Sequence, residues 1–386
     1  MKVCFFAHYS FTNSDGATLS MYNIIDEMMR RGIEVVVVLA NTRNLEDRIA
    51  EGRIKFIIAP LYGMRMDLNR STPMTKVKFF MKSICNSIHK RKIEKVLKLE
   101  NIDIIHINGL DSSIGAEIAQ KLKIPYVWHI RQFMEVDLGK KLFREKYVYR
   151  LVAKASSVIA ISKDVQNKFE PILGRKMDLV YNGVPIEKYR IEDVSRFEAP
   201  ITRILLAGRI SVQKGQMDAV KAVELLIQRG IDNIFLTLVG QGETREYLEY
   251  VKSYIKEHGL EEKICIQEHL DDLRELRRQC DIGLTCSKKE AFGRVTVENM
   301  LAKMLVIGAN TGGTAEIIND GDNGLLYEEG NPKSLADQIE YAVSHRDKAQ
   351  QMIEQGFIQA IEDYSIRRVV DQILNLYKLI DNRFTI

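Results

Sequence analysis

The sequence predicts an α/β protein of two domains, each built on a parallel sheet. Three observations predict it. Short apolar runs alternate with amphipathic runs of helical length along the whole chain, as in Lys2–Ala7, residues 17–31 and Glu34–Leu39, and that alternation marks a parallel sheet. The length, 386 residues, exceeds what one ordinary hydrophobic core serves. The halves also differ in charge: residues 1–190 hold 32 Lys/Arg against 20 Asp/Glu, and the remainder 24 against 32. The net +4 therefore conceals two surfaces suited to different partners.

Composition narrows the class. Apolar content of 46% with 28% charged residues belongs to globular proteins. The longest apolar runs, such as residues 35–40, fall far short of the roughly 20 residues that span a bilayer. Polar residues follow KVCFFA too soon for a secretory leader. The five cysteines (Cys4, Cys85, Cys265, Cys280, Cys286) are odd in number and lack CxxC spacing. They read as free thiols, mostly buried, in a reducing cytoplasmic setting.

In the first half, strands are expected at Lys2–Ala7, Glu34–Leu39, 54–59, 103–107, 126–129, 158–161 and 179–181, with a helix over 17–31 stopped by Gly32. Parallel sheets bind ligands at the carboxyl ends of their strands, where this chain has His8, His129 with Arg131, Ser162 and Asn182. The first strand-to-helix loop ends Asp15-Gly16-Ala17. Gly16 lets backbone approach a phosphate, while Asp15 equally suits a plain helix cap. His106, on the preceding strand, reads as core. Two stretches are basic: residues 65–98 hold ten Lys/Arg with Val77, Phe79, Phe80, Met81, Ile84 and Ile88 among them, and residues 139–154 hold six. Basic amphipathic helices suit an anionic membrane surface, and equally a solvated flank. No nucleic-acid-binding module is recognisable. Asn182-Gly183-Val184-Pro185 and Tyr189 precede a polar run, 190–200, that reads as the linker.

The second half repeats the alternation, with strands at 203–207, 235–239, Ile264–Gln267, Ile282–Thr285 and 305–308. The loop 208–215 (GRISVQKG) puts Arg209 and Lys214 between a strand and a helix, where both can converge on an anion; a salt-bridged surface loop is the alternative. Gly240-Gln241-Gly242 lacks the third glycine of a dinucleotide fingerprint, since Arg245 stands there. Glu290 precedes a helix expected over 293–303 and Glu298 lies inside it, roughly 8 Å along the axis from the helix mouth. The N–H groups of Phe292, Gly293, Arg294 and Val295 at that mouth suit a phosphate. The alternative is a helix-terminal acid and a solvated Glu. Asp320 and Asp322 lie in NDGDNG, a turn composition rather than a metal pair. Residues 365–380 form an amphipathic helix with a Ser cap.

Glu290–Glu298 (EAFGRVTVE), the loop 208–215 and residues 312–318 (GGTAEII) together resemble the donor-site signatures of glycosyltransferase family 4. The resemblance extends over nearly all of the chain and is most specific over 203–330. It implies the GT-B fold, two Rossmann-like domains facing across a cleft: an acceptor-binding domain, 1–188, on which a C-terminal helix, 365–386, packs back, and a nucleotide-sugar-binding domain, 200–364. The implied reaction is retaining transfer of a sugar from a nucleotide-sugar, read as UDP-linked, to an acceptor hydroxyl. The acceptor class is a glycan or lipid-linked glycan in capsule, exopolysaccharide or O-antigen synthesis. The implied place is the cytoplasm, peripheral on the inner face of the membrane. No metal or cofactor is expected. By resemblance, Glu290 meets the transferred sugar, Glu298 the ribose, Arg209 and Lys214 the diphosphate, and His269 with Leu270 the base. His129 lies near the sugar, and His8, Arg131 and Asn182 are acceptor-side candidates. The chain departs from the family pattern at Asp15 and His269, where glycine is usual. A nucleotide-sugar epimerase on the same fold and a non-catalytic sugar-nucleotide or glycan-binding module remain as alternatives; a phosphorylase lacks its cofactor lysine.

Overall fold

The computed structural model describes residues 1–7, 16–41, 52–68, 72–110, 112–135 and 139–382. These form two compact units, Met1–Gly183 with Ile366–Ile386, and Val184–Ser365.

The first unit begins with β1 (Lys2–Ala7), α1 (Gly16–Arg30), β2 (Glu34–Leu39), β3 (Lys55–Ile58), β4 (Arg65–Asp67) and α2 (Pro73–Leu99). It continues through β5 (Ile104–Asn108), α3 (Ile114–Leu122), β6 (Tyr126–Ile130), β7 (Lys140–Leu142), α4 (Glu145–Ala153), β8 (Ser157–Ala160), α5 (Lys163–Leu173) and β9 (Asp178–Leu179). Seven strands pair in parallel in the order β3-β2-β1-β5-β6-β8-β9, with Val3 opposite both Val35 and Ile104. A sheet covered on both faces needs strands that are apolar throughout, which is why KVCFFA and EVVVVL read as continuous runs. β4 and β7 form a separate antiparallel ribbon.

Helix α2 begins cleanly: Thr72 accepts from the Thr75 N–H, and Pro73 opens the first turn. It buries Phe79, Asn86, Ile93 and Leu97. The Asn86 side chain accepts from the Tyr62 N–H and donates to the Tyr62 carbonyl. Met74, Val77, Phe80, Met81, Ile84 and Ile88 remain exposed, from 50% for Ile84 to 81% for Met74. The helix thus shows solvent an apolar stripe, with Arg91, Lys92 and Lys95 beyond it. The second basic run, 139–154, is divided between β7 and α4 rather than forming one helix.

The second unit comprises α6 (Ile186–Tyr189), β10 (Thr202–Ala207), α7 (Gln216–Gln228), β11 (Ile234–Val239), α8 (Arg245–Glu257), β12 (Ile264–Gln267), α9 (Arg274–Gln279) and β13 (Ile282–Thr285). Then come α10 (Arg294–Leu301), β14 (Leu305–Ala309), α11 (Gly312–Ile317), β15 (Leu325–Tyr327), α12 (Pro332–Ser344) and α13 (Arg346–Tyr364). Its six strands run parallel in the order β12-β11-β10-β13-β14-β15. Both sheets are Rossmann-like, and the fold is GT-B.

The polar run 190–200 is not a loose connection. Ile191 and Phe197 are buried, and the Arg196 guanidinium donates to the carbonyls of Lys303, Arg278, Cys280 and Ala302. Asp281 accepts from the N–H groups of Phe197 and Arg203. The segment is thereby fixed to the second unit; its polarity reflects hydrogen bonds, not solvation.

The last helix, α14 (Ile366–Ile380), belongs to the first unit. Ile366, Val369, Val370, Ile373, Leu374 and Tyr377 share a core with Val3, Phe5, Met21 and Ile25. Their spacing is one face of a helix, and each large apolar side chain so buried contributes about 1.5–3 kcal/mol.

Candidate functional site

In the second unit the strand order turns back beside β10, whose neighbours are β11 and β13. The loops leaving β10 and β13 therefore flank the crevice where open α/β sheets bind ligands. Gly215 allows them to touch: it has φ +66°, and a Cβ there would lie 2.0 Å from the Cys286 carbonyl oxygen. The Lys288 N–H donates to the Gln213 carbonyl at 2.9 Å, locking the two loops together. Lys214 is thus carried onto Glu290, its Nζ donating to Oε1. Ser287 Oγ donates to the same oxygen at 2.6 Å. Among the described residues Glu290 Oε2 has no hydrogen bond. Burial works to raise this carboxyl, and Lys214 with Ser287 outweighs it, holding it below its ordinary value.

The Gly312-Gly313 turn backs the same loop. The Gly313 N–H donates to the Glu290 carbonyl at 2.7 Å, and a Cβ on Gly313 would stand 2.3 Å from the Phe292 carbonyl oxygen. Helix α10 starts after Gly293 with no acidic residue in its first turn, leaving its positive end unopposed by its own side chains.

Glu298 sits deeper. Arg277 Nη2 donates to Oε2 at 2.5 Å and Arg294 Nε to Oε1 at 2.7 Å. Arg294 also donates to the Tyr189 hydroxyl at 3.0 Å, and both guanidinium carbons lie within 6 Å of the Tyr189 ring, at 5.4 and 5.8 Å. Burial pushes this carboxyl up, and the two arginines more than reverse it.

Arg209 and Lys214, expected to converge on one anion, each engage a different carboxylate. Arg209 Nη1 meets Glu243 Oε1 at 2.8 Å, both half exposed. His269 and Leu270 follow the edge strand β12 and are exposed, with His269 Nε2 3.5 Å from Asp271. Among the described residues no hydrogen bond or ion pair joins them to Glu290. Asp320 accepts from the Leu326 N–H within a turn. No group of three or more potential ligands for a metal occurs among the described residues.

In the first unit, His8 and Asp15 lie outside the described residues; Gly16, exposed, opens α1. His129 is inside β6 and fully buried. It belongs to a polar chain: Tyr377 hydroxyl to His106 Nδ1 at 2.6 Å, His106 Nε2 to His129 Nδ1 at 3.1 Å, and Arg131 Nη2 to the same His129 nitrogen at 3.2 Å. Arg131, expected to face an acceptor, is 3% exposed. Its guanidinium also donates to Asn108 and, at 2.5 Å, to Asn182, so Arg131 and Asn182 hold each other inside the unit. Burial, then the Arg131 charge, push the His106 imidazole down to about 3 and His129 well below its ordinary value. His129 Nε2 is buried without a partner among the described residues, a situation that costs about 1–3 kcal/mol.

Residues 14–188 match the family model described as Glycosyltransferase Family 4, and residues 190–359 match Glycosyl transferases group 1. The chain belongs to glycosyltransferase family 4. This glycosyltransferase is 23% identical over 295 residues to the N-acetyl-alpha-D-glucosaminyl L-malate synthase of Bacillus anthracis, covering 74% of this chain and 77% of that one. It is 21% identical over 286 residues to the capsular polysaccharide biosynthesis glycosyltransferase CapM of Staphylococcus aureus, covering 70% and 73%. Among solved structures, Anabaena HepE in complex with UDP superposes with a TM-score of 0.79 at 22% identity, covering 97% of this chain and 99% of that one.

Sequence reasoning missed three residues of the glycosyltransferase that the structure brings to these clusters. Arg277, on the short helix α9, carries no local signal linking it to Glu298. Asn108 sits at a strand end like its partner Arg131. Tyr377 did leave a trace: it is the one hydroxyl on the apolar stripe of α14, and a buried Tyr seeks a partner for it.

Proposed function

We propose that the chain transfers a sugar from a UDP-sugar to a hydroxyl of a lipid-linked glycan, with retention at the anomeric carbon. The observation that carries this reading is the Lys214–Glu290 pair at the switch point of the second unit's sheet. It sets a cation suited to a leaving diphosphate beside a carboxylate whose Oε2 has no hydrogen bond among the described residues and can take one from a sugar hydroxyl. In this reading Glu290 takes the sugar and Glu298 the ribose. Lys214, Arg209 and the N–H groups of Phe292, Gly293, Arg294 and Val295 take the diphosphate. His269 and Leu270 take the base. The bond from the anomeric carbon to the phosphate oxygen breaks, and its electron pair leaves on the diphosphate. The acceptor oxygen bonds on the same face and passes its proton to the departing phosphate oxygen. Negative charge grows on the diphosphate in an oxocarbenium-like transition state, where fixed cations lower its energy. The reaction uses no metal.

The UDP complex of HepE and the capsular role in the name of CapM support the donor and acceptor classes. The relative named for L-malate makes a small hydroxy acid the acceptor to run beside glycans. The test is release of nucleoside diphosphate from a panel of nucleotide-sugars, with and without EDTA, and the product anomer read by NMR. An inverted product refutes retention. Loss of activity with EDTA refutes metal independence. Free epimerised donor without acceptor marks an epimerase, and tight donor binding without turnover marks a binding module.

The same reading puts the enzyme on the cytoplasmic face of an anionic membrane, where a lipid-linked acceptor is met. It is supported by the exposed apolar stripe of α2, continued by Arg91, Lys92 and Lys95, a pairing that favours an anionic lipid surface.

A further inference from the structure

Within the first unit a cavity of about 470 Å³ opens between α2, α3 and α4, with Ser83, Asn86, Lys90, Ser112, Glu117 and Arg144 in its wall. It stands beyond the carboxyl end of β5, the side on which parallel sheets hold ligands. Its carboxylate and amide acceptors are engaged. Glu117 takes Ser113 Oγ on Oε1 at 2.7 Å and Lys90 Nζ on Oε2 at 2.6 Å. Asn86 is closed on Tyr62 in both directions. Its donors are available. Lys90 has two further N–H bonds, and Ser112 Oγ, which accepts from the Ile114 N–H at 3.1 Å, keeps its own proton to donate. Ser83 Oγ has no hydrogen bond among the described residues. The Arg144 guanidinium has neither hydrogen bond nor ion pair among them and rests 4.6 Å from the Tyr147 ring. Such a cavity suits a phosphate, which only accepts, better than a sugar hydroxyl, which must also donate. Arg144 also holds a left-handed backbone, φ +61°, which residues bearing a side chain rarely adopt and which gathers at ligand sites.

Helix α2 carries a second feature beside this one. Ser83 lies one turn after Phe80, and Ser87, also in the cavity wall, one turn after Ile84. The cavity edge and the exposed apolar stripe are therefore neighbouring rows of one helix. We propose that the cavity binds the headgroup of a lipid ending in a phosphate monoester, whose hydrocarbon chain lies on the stripe. A monoester brings three acceptor oxygens and nearly two charges, which Arg144, Lys90, Ser83 and Ser112 can meet together; the diester of an ordinary phospholipid has fewer of both. The inference rests on the reading of the stripe as a membrane contact. It adds selection of one headgroup to that reading, and involves neither the donor nor the transferred sugar.

The experiment is co-sedimentation of the full chain with vesicles of neutral phospholipid carrying either a phosphate-monoester lipid or a phosphodiester lipid. The two are matched in surface charge and compared in about 0.15 M salt, where long-range attraction is screened. Binding to the monoester vesicles should be tighter by about tenfold or more, the worth of one charged hydrogen bond. Arg144→Gly should remove most of that preference without loss of thermal stability, because glycine takes the left-handed backbone freely. Ser83→Ala should lower the preference by less. Phe80→Ser should weaken binding to both vesicles alike and leave their ratio unchanged. Equal binding to the two vesicles, or full preference in Arg144→Gly, overturns the headgroup assignment and leaves the membrane reading standing. Absence of binding to either, even at low salt, removes the membrane reading and this proposal with it. Inorganic phosphate at the same phosphate concentration should leave the protein on the monoester vesicles, since it gains nothing from the stripe. Complete displacement would mark a site for free phosphate and overturn the lipid assignment.

Discussion

Two buried polar clusters, one in each unit, are built in opposite ways. In the second, carboxylates are ionised and clasped: Glu298 by Arg277 and Arg294, Glu290 by Lys214. In the first, the linked groups between Tyr377 and His129 are neutral, with burial pushing both imidazoles down and the Tyr377 hydroxyl up. An ion pair can trade partners, because an incoming phosphate or hydroxyl replaces one favourable contact by another. A neutral chain of linked rings gains no such exchange, because opening it leaves buried polar atoms without partners. The second unit's cluster is suited to exchange, the first unit's to staying closed.

Breaking the charged side should have the larger effect. Glu298→Ala leaves two arginines facing an uncompensated space, at a cost of about 3–5 kcal/mol. Tyr377→Phe removes one neutral hydrogen bond, worth about 1 kcal/mol. Denaturant titration of both variants checks the contrast, and equal losses would dissolve it. Within the charged cluster, Lys214→Ala should lower kcat/KM by roughly 10²-fold or more, as loss of a charge-stabilising donor does. Calorimetry then separates the glutamates. Glu298→Ala should weaken UDP binding, whereas Glu290→Ala should leave it nearly intact and lower turnover. Loss of UDP affinity in both would misplace the sugar.

Acid sharpens the comparison further. An imidazole depressed in the folded state lets the unfolded chain bind more protons, so stability falls as pH drops from the ordinary 6.5 of histidine toward 3 for His106. The slope is at most about 1.4 kcal/mol per pH unit for each of His106 and His129. Glu290 and Glu298, depressed below 4.5, keep their full contribution above that value and lose it only below. The single tryptophan, Trp128, is buried in β6, so its fluorescence reports on the first unit. Its acid transition should precede the loss of helical signal from the second unit; coincident transitions would refute this. The smallest effect concerns the surface. The protein should co-sediment with anionic vesicles at low salt and be released as salt rises, and Phe80→Ser should weaken that binding. Equal partition to neutral vesicles would remove the lipid reading.

Much of the fold is legible in the sequence because strands buried on both faces are written as unbroken apolar runs. The Lys214 and Glu290 loops are legible for a related reason: glycines stand where backbone touches backbone. What is not legible is whatever depends on partners far along the chain. Arg196 looks like a solvated linker residue until four carbonyls from residues 278–303 close on it. Glu298 looks like an open helix acid until Arg277 arrives from a neighbouring helix. His129 looks like a lone strand-end histidine until His106, itself held by Tyr377 from far along the sequence, closes on its ring.

The return of α14 to the first unit also sets an order of birth. The chain leaves that unit at Gly183 and rejoins it at Ile366, after the 182 residues of Val184–Ser365. At about 5–20 residues per second, a ribosome needs roughly 10–40 s to make that interval. Throughout it, the nascent first half lacks the helix that covers Val3, Phe5 and His106. The half translated second can thus complete its core before the half translated first, and the emerging chain carries an uncovered apolar face until its last helix is released.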